Sequence, residues 1–112
     1  MPPQISIFPV VNFMLKKKEY DSAIKDFSKA IDMDELLLEP YIERAEAYFA
    51  IGNIYQCKKD LENVFKGIIP DLHKGSYYNP LWKRVYTLRA KIAEDEGDYT
   101  NAEADYSIAE KL

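Results

Sequence analysis

The chain has 112 residues, 47% apolar and 30% charged, with a formal net charge of −4; that is one small folded domain with enough apolar surface for a core. An isoelectric point near 5.0 excludes a global positive field that would draw nucleic acid or anionic membrane. Cys57 is the single cysteine and His73 the single histidine, which excludes an internal disulfide and argues against a metal site; no cofactor is expected.

The first segment, MPPQISIFPVVNFML, is apolar but lacks a basic leading region and is broken by prolines, so it reads as a poor signal peptide. No apolar stretch approaches the roughly 20 residues needed to span a bilayer, and a reducing cytoplasmic setting is expected. Lys16, Lys17 and Lys18 form the one basic run. With Glu19 and Asp21 next to it, the run reads as a solvated turn between helices and not as a phosphate patch. From Tyr20 the apolar residues Ala23, Ile24, Phe27, Ala30 and Ile31 recur every three or four positions, the stripe of an amphipathic helix.

PYIERAEAYFAI (40–51) continues the helical period from a proline suited to a first turn. Gly52-Asn53 then supplies turn geometry before a stripe of Ile54, Cys57, Leu61, Val64 and Phe65. NPLWKRVYTLRAKIAEDE (79–96) opens on Asn79 as an expected N-cap. Gly97-Asp98 repeats the turn, and Tyr99, Ala102, Tyr106 and Ala109 form the last stripe. Nothing alternates with period two, so the chain reads as helix pairs joined by tight turns.

Three segments share one pattern. Tyr20, Ile54 and Tyr99 are each followed by a small residue (Ala23, Cys57, Ala102), a large apolar one (Phe27, Leu61, Tyr106) and then Ala30, Val64 or Ala109. The first two copies are offset by 34 residues and the last two by 45. Such a period marks a repeat array, which works through surfaces and not through catalytic pockets.

These residues resemble the tetratricopeptide repeat family, whose unit is a helix–turn–helix of about 34 residues. The second copy carries the pattern on Tyr41, Ala45, Tyr48, Gly52, Ile54, Cys57, Leu61 and Val64. The third carries it on Tyr86, Ala90, Ala93, Gly97, Tyr99, Ala102, Tyr106 and Ala109. In the first copy the small residue of helix A falls on Val11, with Pro9 nearby. The resemblance implies an all-α, right-handed α-solenoid of three helix–turn–helix repeats in a single domain, at about 4–37, 38–67 and 80–112, the first with an irregular helix A. Residues 66–79 carry an insertion of eleven residues relative to the repeat spacing, expected to add a loop around His73–Tyr78 and private binding surface. Trp82 reads as a packing residue beneath that insert, or else as an interface anchor.

No nucleophile, base and acid come together in the sequence, so no enzyme is expected. His73 reads as an exposed loop residue, and Cys57 as a small core residue and not a reactive thiol. Asp26, Asp60 and Asp105 share one repeat position, and Arg44 and Arg89 another. The arginines are expected to pair with aspartates of the same or a neighbouring helix B, tying successive repeats together; the alternative is solvated charge.

The family holds partner peptides in a concave groove lined by its A helices. The resemblance puts Phe8, Asn12, Glu39, Ile42, Glu43, Glu46, Phe49, Arg84, Leu88 and Lys91 on that groove. Its acidic middle, with Ile42, Phe49 and Leu88 as apolar patches, suits a peptide with basic and apolar side chains, unless the glutamates are merely a solvated face. A subset of the family clamps a chaperone's C-terminal carboxylate with Lys, Asn, Asn, Lys and Arg. Here Asn12 matches and Arg84 could replace a lysine, but Phe8, Glu43 and Leu88 stand at three clamp positions, so that ligand is disfavoured. The expected function is a non-enzymatic protein–protein interaction module. The alternative is a structural subunit, or a fragment of a longer array, whose uncapped ends, above all Tyr106, Ile108 and Leu112, stack on other chains.

Overall fold

Among the described residues five helices follow one another: α1 (Phe8–Met33), α2 (Leu38–Ala50), α3 (Ile54–Phe65), α4 (Asn79–Asp95) and α5 (Tyr99–Glu110). A computed structural model describes residues 8–34, 37–66 and 78–112, with side chains from Phe13 onward. There is no strand among the described residues. The expected loop around His73 lies outside them.

The two glycine turns are built alike. Gly52 and Gly97 take φ of 82° and 81°, the left-handed region that costs other residues about 1 kcal/mol or more. Each is the C′ residue of a Schellman motif: Gly52 N donates to Phe49 O and Asn53 N to Tyr48 O, while Gly97 N donates to Glu94 O and Asp98 N to Ala93 O. The next helix then starts on a side-chain cap. Asn53 Oδ1 accepts from Gln56 N and Asp98 Oδ1 from Asn101 N, each at 3.3 Å. The period of the sequence and its turn chemistry therefore yield two antiparallel hairpins, α2–α3 and α4–α5.

The first repeat departs from expectation. Residues 16–18 lie inside α1, an unbroken helix of 26 residues, and the turn expected there is not formed. The physical reason is local. Lys-Lys-Lys-Glu contains good helix formers and no glycine or asparagine for the left-handed turn residue, so nothing stops the helix. In place of a third hairpin stands one long helix that, among the described residues, packs against α2. A smaller correction falls at Asn79, which is the first residue of α4 and not its cap; the cap position is Tyr78, whose side chain makes no capping bond to the helix.

α4 also touches α2 and α3, so the hairpins meet along one seam. The core runs through it, from Ile31, Leu38, Ile42, Ala45, Cys57, Leu61 and Val64 to Trp82, Val85, Leu88 and Ile92. Trp82, 3% exposed, is a packing residue, with its ring 5.6 Å from Phe65 and 5.8 Å from Tyr86. Cys57 is fully buried, and burial pushes its thiol up to about 12, so it stays protonated and inert. The molecule is elongated, 62 × 37 × 22 Å.

Candidate protein-binding surface

Arginine–aspartate pairs hold each hairpin closed. Arg44 of α2 donates from Nε to Asp60 Oδ2 (2.9 Å) and from Nη2 to Asp60 Oδ1 (2.6 Å) on α3. Its Nη1 reaches Ser28 Oγ on α1 at 3.0 Å. Arg89 of α4 repeats the fork on Asp105 of α5, at 2.8 Å for both bonds. The predicted pairing forms, with one correction. The carboxylates belong to the same hairpin, and of the bonds made by Arg44 the one to Ser28 reaches the preceding helix α1. Asp26 is exposed, and among the described residues no arginine pairs with it. Both pairs span sixteen residues, and sixteen before Asp26 stands Val10. Arg89 also lies 4.2 Å over the Phe65 ring, a cation–π contact that Arg44 replaces with Tyr41 and Tyr48.

A cleft of about 460 Å³ opens between α2 and α4, lined by Glu46, Phe49, Pro80, Lys83, Arg84, Thr87, Leu88 and Lys91. Glu46 and Arg84 pair across it: Arg84 Nε donates to Glu46 Oε2 at 3.3 Å and Nη2 lies against Oε1. The bond to Glu46 raises the Arg84 pKa above its ordinary value, partial burial opposes this, and Glu46, Glu43 and Glu39 add attraction. The glutamates therefore act first on Arg84, and Glu46 is already engaged.

The expected groove residues separate into three groups. Glu46, Phe49, Arg84, Leu88 and Lys91 come together in this cleft. Glu39 is exposed and Glu43 half-buried on α2 beside it. Ile42 is fully buried and Leu88 5% exposed, so both are core residues and not free apolar patches; Phe49 alone of the three is half-exposed. The side chains of Phe8 and Asn12 lie outside the described residues. Pro80, Lys83 and Thr87 line the cleft unforeseen, although they complete the three-and-four ladder already marked by Arg84, Leu88 and Lys91.

A second cleft, about 480 Å³ and mostly apolar, lies on the α3–α4 side between Lys58, Leu61, Glu62, Phe65, Lys66, Arg89 and Ile92. Among the described residues, no group of histidine, cysteine, aspartate and glutamate could hold a metal. Nor is any described helix long and apolar enough to cross a membrane.

A family model for the tetratricopeptide repeat matches residues 15–35 and 83–111. Both matches are to the same repeat, and together they support assigning the chain to the tetratricopeptide repeat family. The first match covers most of α1 and the second most of α4 and α5. The α2–α3 hairpin between them has the same glycine turn and the same arginine–aspartate fork as the matched α4–α5 hairpin. No curated protein and no solved structure matches the chain. Tetratricopeptide repeats generally mediate contacts between proteins and are typically non-enzymatic.

Proposed function

We propose that this tetratricopeptide protein recruits a partner protein by holding a segment of it along the α2–α4 cleft, in a cytoplasmic setting. The observation that carries this reading is the cleft's composition: Phe49 is a half-exposed apolar side chain, with Lys83 and Lys91 on the α4 side of it. On α2, Glu39 and Glu43 stand beside the cleft, close enough for their charges to act on Arg84. Because Arg84 and Glu46 satisfy each other, these four side chains are the charges left to a ligand. A segment with a basic side chain toward α2, an apolar one in the middle and an acidic one toward α4 fits best. This extends the ligand inferred from sequence, which had only the basic and apolar parts. Burying the apolar anchor supplies affinity, and the flanking charges set orientation and on-rate.

A carboxylate-terminal chaperone tail fits poorly. Arg84 would have to leave Glu46 to meet it, with Glu43 close enough to repel the incoming charge.

The test is capture of partners by wild type, Glu39→Lys/Glu43→Lys and Lys83→Glu/Lys91→Glu, followed by titration of the captured segment as a peptide. Each reversal is expected to weaken that peptide at least about tenfold, as loss of charge complementarity at a small interface does. Wild-type affinity in both variants would remove the cleft from consideration.

A further inference from the structure

The two ends of the molecule are unlike in charge, and each leaves apolar surface uncovered. On α3 the stripe Ile54, Lys58, Leu61 and Phe65 lies under α4, and Leu61 is only 4% exposed. Shifted by the 45-residue offset, the same stripe on α5 is Tyr99, Glu103, Tyr106 and Glu110. Among the described residues α5 packs against α4 alone, so this stripe has no neighbour. Tyr99 is 68% exposed, and both glutamates are exposed. Tyr106 is half-covered, and the negative charges felt at its hydroxyl are Glu94 and Asp95 of α4. The end is an aromatic surface set in acid.

At the opposite end, α1 is about 39 Å long at 1.5 Å per residue, twice the length of α2, against which it packs. Its first half reaches the C-terminal end of α2, where Phe13, Lys16, Lys17 and Tyr20 meet Ala50 and Ile51. There Met14 is 65% exposed and Leu15 58%, with Lys16, Lys17 and Lys18 all exposed beside them. This end is apolar surface set in base.

We propose that the Met14–Lys18 part of α1 seats on the Tyr99–Glu110 stripe of a second copy, so that copies associate head to tail. The apolar side chains of one end cover the tyrosines of the other, and the lysines meet Glu103, Glu110 and the acidic end of α4. Pairing like ends would set lysine against lysine or acid against acid, which selects the heterologous arrangement. Each copy keeps one free end, so the assembly grows beyond a dimer with concentration. This contact uses neither α2 nor the α2–α4 cleft and stands apart from the partner-binding reading.

Sedimentation equilibrium of the full chain, over a concentration series at low and at high salt, tests it. The expected result is a mass above that of one chain that rises with concentration and falls with added salt. Lys16→Glu/Lys17→Glu/Lys18→Glu and Glu103→Lys/Glu110→Lys should each weaken association at least about tenfold. An equimolar mixture of the two should recover it, because the reversed ends are again complementary. If either variant loses its helical circular dichroism, the single exchange Lys17→Glu with Glu103→Lys makes the same comparison. A wild type that sediments as one chain throughout overturns the proposal. So does association that survives both reversals, or a mixture that fails to reassemble.

Discussion

Asp60 shows how much one residue can depend on its partner. Its carboxylate is 2% exposed and both oxygens accept from Arg44, itself 18% exposed. Among the described residues every buried side-chain polar atom has a hydrogen-bond partner, so removing Arg44 creates a defect where there was none. Arg44→Met is expected to cost about 3–5 kcal/mol, since it leaves a buried carboxylate uncompensated, while Arg44→Met/Asp60→Leu should recover most of that loss. In the second hairpin Arg89 is 44% exposed and water can replace it, so Arg89→Met should cost only about 1–2 kcal/mol. Urea unfolding of the four chains, followed by circular dichroism, checks both the ranking and the recovery. Equal losses at Arg44 and Arg89 would mean that burial does not set the value of these pairs. The pairing itself was legible in the sequence, because arginine and aspartate recur at a fixed spacing on helices that a glycine turn folds together. That the forks close hairpins instead of joining repeats was not legible. Spacing brings two positions to one level of the stack but does not say which neighbouring helix a guanidinium faces.

Among the elements, α1 departs most from what its sequence suggests. Both hairpin turns carry glycine at the left-handed position and a side-chain cap one residue later, and both were readable from Gly52-Asn53 and Gly97-Asp98. At Lys16–Lys18 the family pattern asks for a turn, and the local chemistry supplies none. When a global pattern and local propensity disagree, packing decides, and among the described residues the first half of α1 meets the end of α2. Lys17→Pro separates the two possibilities. A turn at 16–18 would accept proline with no loss of helix. A continuous helix loses the bond from residue 17 to residue 13 and clashes there, at a local cost of about 3 kcal/mol. The expected outcome is loss of the helical signal and amide protection of residues 8–16, with α2–α5 unchanged. That first half buries too little apolar surface to hold itself together across a break.

At the scale of the whole molecule, the α3 stripe identified core positions at Cys57, Leu61 and Val64, but Tyr20 and Tyr99 of the other stripes are 38% and 68% exposed, and the division between core and groove was hidden. Ile42 and Leu88 share a face with Glu46 and Arg84, and only the approach of α4 to α2 decides which side chains it covers. The same approach makes the seam the weakest point of the structure. Each hairpin is closed by its own glycine turn and ionic fork, whereas the two hairpins are joined by an aromatic cluster and two largely exposed ion pairs, Arg84–Glu46 and Lys58–Glu96. Arg84 and Glu46, 39% and 38% exposed, are worth less than about 1 kcal/mol between them. Trp82, packed on Phe65 and Tyr86 at 3% exposure, is worth about 3–5 kcal/mol on truncation. The apolar contact therefore couples the hairpins. In a stacked array stability is a sum of unit terms and interface terms, so weakening an interface lets the units unfold separately. Trp82→Ala should split a single urea transition into two, with amide protection in α4–α5 lost at a different urea concentration from that in α2–α3. Arg84→Ala should leave one transition, slightly shifted. If Trp82→Ala instead lowers both hairpins together along a single curve, their coupling does not reside in this cluster, and the long helix α1 with the Arg44–Ser28 bond becomes the element that holds the array as one unit.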